Sequence, residues 1–416
     1  MIVRKKSKTI RQFLVAFATG LLLSVALSAN AQNEADAKTA AEDKPTVVWG
    51  GVSLASHAST PEEQRKAMPV IGEMLMCKNT TEGCGGIDIN AVAREAFANT
   101  EFRDFDIEVG SVSASQLQGH IITPVITSEA IVEAFEGKSV GYSYSYRIFG
   151  NLMILQFLPG EVQYVAAHPF ILNYFDVSKT KLSDAQKREV FKSLYLNDDK
   201  GVNFFAQLRD AAQKDLRLNV DEHNYVQINS VELSDEVLAV LTQAYGAESW
   251  KQQIAKFFES NLAASTGRPI LPSALGDRTT QQLLIVFRDA SKKLVVPPAG
   301  YSVGLVIDRF LRHEAKSGSE QIICFMVASS ILVEDPYGEQ IGNLRFARKR
   351  DSCGATNPGT QRADVMYFPE SMYSLLYRVS QQFDGKIDGK FLKRNTDKPA
   401  AVRADISRLT DTLFNQ

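Results

Sequence analysis

The chain has 416 residues, a formal net charge of −2, 44% hydrophobic residues and four cysteines. A mildly acidic balance argues against nucleic acid or anionic lipid as the main partner. The length exceeds one ordinary domain and suits two, each with its own core.

Arg4, Lys5, Lys6, Lys8 and Arg11 precede an apolar run from Phe13 to Leu27, and Ala29-Asn30-Ala31 follows. A basic start, a short apolar run and a small-x-small ending are the pattern of a cleavable signal peptide cut after Ala31. An uncleaved anchor is the competing reading, but Ser24, Ser28 and the Ala-x-Ala ending fit cleavage better. Removing residues 1–31 takes away five positive charges and no negative ones, so the charge moves from −2 to −7. No later stretch is long and apolar enough for a membrane-spanning helix. The expected location is therefore the periplasm or the cell exterior.

Residues 32–45, rich in Ala, Glu, Asp and Lys, read as a disordered tether. A first α+β unit is expected over 46–200, a linker over 201–224, a second unit over 225–390, and a C-terminal tail or helix over 391–416. In the first unit a strand (Val47–Ser53) leads to an amphipathic helix (Asp88–Asn99) and a short extended piece (Phe105–Val109). A segment of helical spacing (Ser128–Phe135), a hairpin of long strands (139–157 with 162–177) and a closing helix (Asp184–Leu196) follow. The second unit repeats that order with Tyr225–Leu233, Ser249–Ala264, Pro269–Pro272, Thr279–Ala290, the hairpin 302–315 with 321–334, and Pro369–Phe383. Alternation and β-branched runs carry the strands, and 3.6-residue periodicity the helices. Helices with a mostly antiparallel sheet in each unit make the fold class α+β.

The repetition itself points to an internal duplication. Ala93-Arg94 and Asn99 align with Ala255-Lys256 and Asn261 at an offset of 162, and Gly137–Gly141 aligns with Gly300–Gly304 at an offset of 163.

An even number of cysteines in an oxidising compartment implies disulfides. Local pairing of Cys77 with Cys84 and of Cys324 with Cys353 is expected. His57, His120, His168, His223 and His313 are scattered, with none at a ligand spacing, so no metal or cofactor is expected.

Both Gly-x-Ser-x-Gly matches invite a serine hydrolase reading through Ser139 or Ser302. That motif works as a strand-to-helix elbow, whereas here each serine enters a strand, so a structural turn is the better reading and no catalytic residue is assigned. A dispersed hydrolase site would draw on Ser302, Asp308 and His313. Tyr142, Tyr144 and Tyr146 share one face of a strand; core packing is the default reading, and a strip for a protein partner the sharper one. The run Arg345-Phe346-Ala347-Arg348-Lys349-Arg350 reads as a solvated loop, with an anion site as the alternative.

Leu262–Arg268 runs into Pro269-Ile270-Leu271-Pro272, and a later strand closes with Ile331–Ile341, which contains Asp335-Pro336-Tyr337-Gly338-Glu339. Over about 150 residues this resembles the α+β unit of the curli secretion channel family and the N-terminal domain of the TolB family. There a helix leads into a threonine-glycine-arginine strand, and a hairpin carries aspartate followed by glycine-glutamate. The resemblance implies an envelope protein that binds other envelope proteins or associates with itself. A non-enzymatic scaffold or assembly factor is the expected function. A periplasmic hydrolase, or a small-ligand binder using the cleft between the units, stands as the alternative.

Overall fold

The computed structural model describes residues 44–414 except 57–59, 78–86, 111–117, 139, 160, 197–200, 219–224, 274, 276–281, 318–319, 348–352 and 357–363. The expected signal peptide and most of the tether lie outside the described residues. In chain order the first elements are β1 (Thr46–Trp49), β2 (Ser53–Ser56), α1 (Pro61–Ala67), α2 (Pro69–Met76), α3 (Ile89–Phe97) and β3 (Asp106–Glu108). Three long strands follow, β4 (Gly119–Phe135), β5 (Tyr142–Leu158) and β6 (Glu161–Ser178), then α4 (Asp184–Leu196) and α5 (Phe204–Asp215). The second half holds β7 (Val226–Leu233), α6 (Asp235–Leu241), α7 (Ala247–Thr266), β8 (Ile270–Leu271), β9 (Gln282–Val286) and β10 (Ser291–Val295). It closes with β11 (Tyr301–Ser317), β12 (Glu320–Glu334), β13 (Gln340–Ala347), β14 (Cys353–Thr356), α8 (Asp364–Ser380), α9 (Gly389–Asn395) and α10 (Pro399–Phe414).

The fold is α+β. Two sheets carry one pairing pattern. The first contains the path β3-β1-β4-β5-β6, and the second runs β8-β7-β11-β12-β13. In both paths the first two pairings are parallel and the last two antiparallel. Helix α3 precedes β3 as α7 precedes β8. Each helix is set by its own chemistry. Asp88 caps α3 by accepting from the Asn90 N–H at 2.9 Å. Trp250, Ile254, Phe258 and Leu262, all buried, give α7 its apolar stripe, and Gly267 at φ +63° ends it in the left-handed region.

The two sheets then diverge. In the first, β4 also pairs with β2, and the order β2-β9-β10-β6 continues the sheet, so β2, β9, β10, β6, β5 and β4 close into a ring. Ile121, Val125, Met153, Leu155, Ile285 and Leu294 belong to the cluster that fills it, and closure removes the exposed edges an open sheet would leave. Strand β5 is buried on both faces along most of its length. Its side chains at 144, 146, 148, 152 and 154 join the core under α4 and α5, while those at 153, 155 and 157 point into the ring.

Several expectations change against this topology. Residues 128–135 and 282–286, read as helical, are strand. Ile131-Val132 and Leu284-Ile285-Val286 bring β-branched and apolar residues that their cross-strand partners hold extended, and that pairing overrides the local spacing. Strands β9 and β10 come from the stretch expected to belong to the second unit, yet they complete the first sheet. Residues 45–416 accordingly gather into one compact unit. The two glycine motifs do not occupy equivalent places, because Gly137–Gly141 joins β4 to β5 whereas Gly300–Gly304 opens β11, the counterpart of β4 in the pairing order. Gly137 and Gly141 have φ of +95° and +98°, and a Cβ on Gly141 would lie 2.3 Å from the Ser178 carbonyl oxygen.

Candidate functional site

The sequence-derived candidates do not assemble into a catalytic centre. Ser302 pairs with Glu334 near one end of the β11–β12 hairpin and His313 pairs with Cys324 near the other. Eleven residues of strand separate them, roughly 35 Å at the rise of an extended chain. Asp308 lies between, its carboxylate accepting from the Ser330 hydroxyl at 3.2 Å. The hydrolase version built on these three residues is therefore excluded by distance, and Ser139 lies outside the described residues.

Tyr144 and Tyr146 are fully buried, which corrects their reading as a partner surface. Helix α4 covers that face, with Phe191 edge-on to Tyr146 at 5.1 Å, and Tyr144 Oη accepts from the Leu182 N–H at 2.7 Å. Burial raises the Tyr146 phenol above its ordinary range. Tyr142, at the end of the strand, stays half-buried against Phe135 at 5.1 Å. Arg345 is exposed on β13, and Arg348–Arg350 lie outside the described residues. Cys324 and Cys353 form a disulfide joining β12 to β14. Cys77 is also disulfide-bonded, and its expected partner, Cys84, lies outside the described residues. No helix among the described residues is long and apolar enough to cross a membrane.

A different site emerges at the mouth of the ring. Along β5, side chains at odd positions pass from the ring interior (Met153, Leu155, Phe157) to the contact with α7 and α8 (Arg147). Asn151 sits at the changeover. It is 5% exposed, its Oδ1 has no hydrogen-bond partner among the described residues, and it lines a cavity of about 330 Å³. Strands β2, β4 and β9 supply Ser56, Thr127, Ser128 and Leu283 to the same cavity. Helix α7 closes it with Ser249, Gln252, Lys256 and Glu259, which recur every three or four residues and so share one face. Ser273 and Leu275, after β8, complete the wall.

The charged groups in that wall are held differently. Lys256 Nζ donates to the Thr127 carbonyl oxygen at 2.9 Å. Burial lowers its pKa to about 8, against the opposing pull of the Glu259 charge. Glu259, 2% exposed, accepts from the Ser273 N–H at 2.9 Å. Burial raises its pKa to about 7, opposed by Ser273 and Lys256. Glu129 also borders the cavity, but its carboxylate faces the start of α2. It accepts from the Val70 and Ile71 N–H groups at 3.0 and 2.9 Å and from the Tyr195 hydroxyl at 3.1 Å. Burial raises its pKa despite those donors.

Lys256, Glu259 and Asn151 were not singled out in the sequence. The one signal there is a lysine and a glutamate embedded three residues apart in a helix whose neighbouring Ala255, Phe257 and Phe258 are all buried. Two charges set among buried apolar neighbours over one stretch of helix point to an internal polar site. Nothing in the sequence places Asn151 opposite them.

No family model matches the chain, and no curated protein matches it. Among solved structures, a protein described as a neuraminyllactose-binding hemagglutinin homolog from Helicobacter pylori is 9% identical, covering 45% of this chain and 91% of its own, with a TM-score of 0.23. The protein CT253 from Chlamydia trachomatis is 12% identical, covering 47% of this chain and 99% of its own, with a TM-score of 0.21. Likeness at that level carries no inference about fold or activity.

Proposed function

We propose that this is an exported envelope protein, delivered to the periplasm by cleavage after Ala31, that binds a small polar ligand at the mouth of the six-stranded ring. The observation that carries the reading is the Asn151 Oδ1, without a partner among the described residues, in the wall of the cavity that Lys256 and Glu259 also line. A buried polar group without a partner costs about 1–3 kcal/mol, and a ligand that satisfies it recovers that cost. Barrel mouths and element junctions are also where concave sites of mixed polarity occur. The matching strand order of the two sheets supports the view that the chain holds two copies of one unit. On that view only the first was elaborated into a ring with a cavity.

A second reading, an assembly factor that binds other envelope proteins or itself, is favoured by the outer end of β6. Phe175 and Val177 project from one face there at 51% and 47% exposure. Strand β10 pairs with β6 only at Val162 and Gln163, so the outer edge beyond them carries no further strand among the described residues.

Thermal melting of residues 32–416 against a panel of small polar compounds separates the two readings. Ligand binding predicts that one chemical class raises Tm and that Asn151→Leu abolishes the shift while leaving the ligand-free Tm the same or higher. A melt that no compound moves would leave the protein-binding reading standing.

A further inference from the structure

The chemistry of the cavity wall narrows the ligand class, and this step rests on the cavity reading above. Lys256 Nζ has three N–H donors and spends one on the Thr127 carbonyl oxygen at 2.9 Å. Glu259 stands one helical turn along the same face of α7, accepting from the Ser273 N–H at 2.9 Å and from the Ser273 side chain. The two charged groups make no direct ion pair and act on each other only through their fields. Asn151, on β5, offers its Oδ1 to the same cavity as an acceptor. Glu129 is not available to a ligand in the same way, because both its oxygens are engaged by α2 and Tyr195. Tyr245, also in the wall, is committed to the backbone of Ile131.

Two ionisable groups of opposite sign held in a buried wall with no direct ion pair are each costly to charge, and a counter-charge placed on each favours its charged form. An anion would satisfy Lys256 and repel Glu259. A cation would do the reverse, and a neutral sugar would leave both uncompensated. A molecule carrying an ammonium and a carboxylate a few bonds apart satisfies both at once.

We propose that the cavity binds a small zwitterion, a free amino acid or dipeptide, with its carboxylate on Lys256 Nζ, its ammonium on Glu259 and an adjoining polar atom on Asn151. The apolar part of the wall, Met153, Leu275 and Leu283, receives its side chain.

The test is calorimetric titration of residues 32–416 with L-alanine, L-leucine and L-alanyl-L-alanine, set beside acetate, ethylamine and glucose. The expected result is that the zwitterions bind at least about tenfold more tightly than either singly charged compound, as two charged hydrogen bonds imply over one. Lys256→Met and Glu259→Gln are each expected to weaken them about tenfold or more. The wild-type comparison of alanine with acetate and ethylamine needs no variant, so it holds even if a substitution impairs folding. Acetate or ethylamine binding as tightly as alanine would overturn the proposal. Glucose binding that Asn151→Leu abolishes would overturn it too, while leaving the cavity as a ligand site. Absence of binding by every compound would bring down this proposal together with the cavity reading it rests on.

Discussion

His168 lies on β6 opposite Leu152, 3% exposed. Burial alone lowers its pKa from 6.5 to about 4. The sign follows from proton binding. Between pH 6.5 and about 4 the unfolded chain takes up a proton that the folded chain refuses, so stability is full above 6.5 and is lost as pH falls through that window. The loss amounts to about 3 kcal/mol. Urea denaturation of the wild type and of His168→Leu at pH 7 and pH 4.5 is expected to show their stability difference moving by about 2–3 kcal/mol in favour of the variant at the lower pH. An unchanged difference would mean that His168 stays solvated. Arg147 shows a second way of keeping a charge inside. It is 4% exposed, stacked over Tyr373 at 4.6 Å and within 6.0 Å of Trp250, so aromatic faces stand where a carboxylate would ordinarily be.

At the scale of elements, α2 has Pro69 at its first position and no capping side chain of its own. Its cap comes from across the fold, where Glu129 of β4 accepts from two of the free N–H groups. The bulge in β4 between Ile126 and Ser128 adjoins that contact. Glu129→Ala is expected to destabilise by about 2–4 kcal/mol, since three hydrogen bonds to the carboxyl are lost and the Val70 and Ile71 N–H groups and the Tyr195 hydroxyl lose their acceptor. Glu129→Gln, which keeps one acceptor oxygen, is expected to cost less. Chemical denaturation at pH 7 measures both, and equal losses in the two variants would show that the contact acts through packing alone. Asp88 anchors α3 in a comparable way. Burial raises its carboxyl, but the Arg288 guanidinium and the Asn90 and Ala91 N–H groups outweigh that and hold it below the ordinary range.

At the scale of the molecule, Arg288 shows why the two halves are not independent. It sits in the turn between β9 and β10 and reaches the first half, donating to Asp88 and, at 3.0 Å, to the Leu75 carbonyl oxygen. Without β9 and β10, β2 and the start of β6 at Val162 and Gln163 would present open edges, and the apolar cluster inside the ring would face water. Residues 46–224 expressed alone are therefore expected to melt without cooperativity, whereas 32–416 unfolds in one transition seen alike by near- and far-ultraviolet circular dichroism. A sharp melt of the shorter fragment would show that the ring is dispensable.

The sequence by itself determined the α+β class, the long-strand hairpins read at 139–157 with 162–177 and 302–315 with 321–334, the helices read at 88–99, 184–196 and 249–264, and the Cys324–Cys353 pairing, each of which the structure bears out to within a few residues. These depend on interactions a few residues long or on neighbouring strands, and period-2 and period-3.6 patterns record such interactions directly. Only the tertiary structure decided that 128–135 and 282–286 are strands, because their partners, not their own spacing, hold them extended. It also decided that β9 and β10 leave the second half to close a ring in the first. The candidate site was invisible for the same reason. Asn151 and Lys256 are 105 positions apart in the sequence, and only the packing of α7 across the mouth of the ring brings them to one cavity.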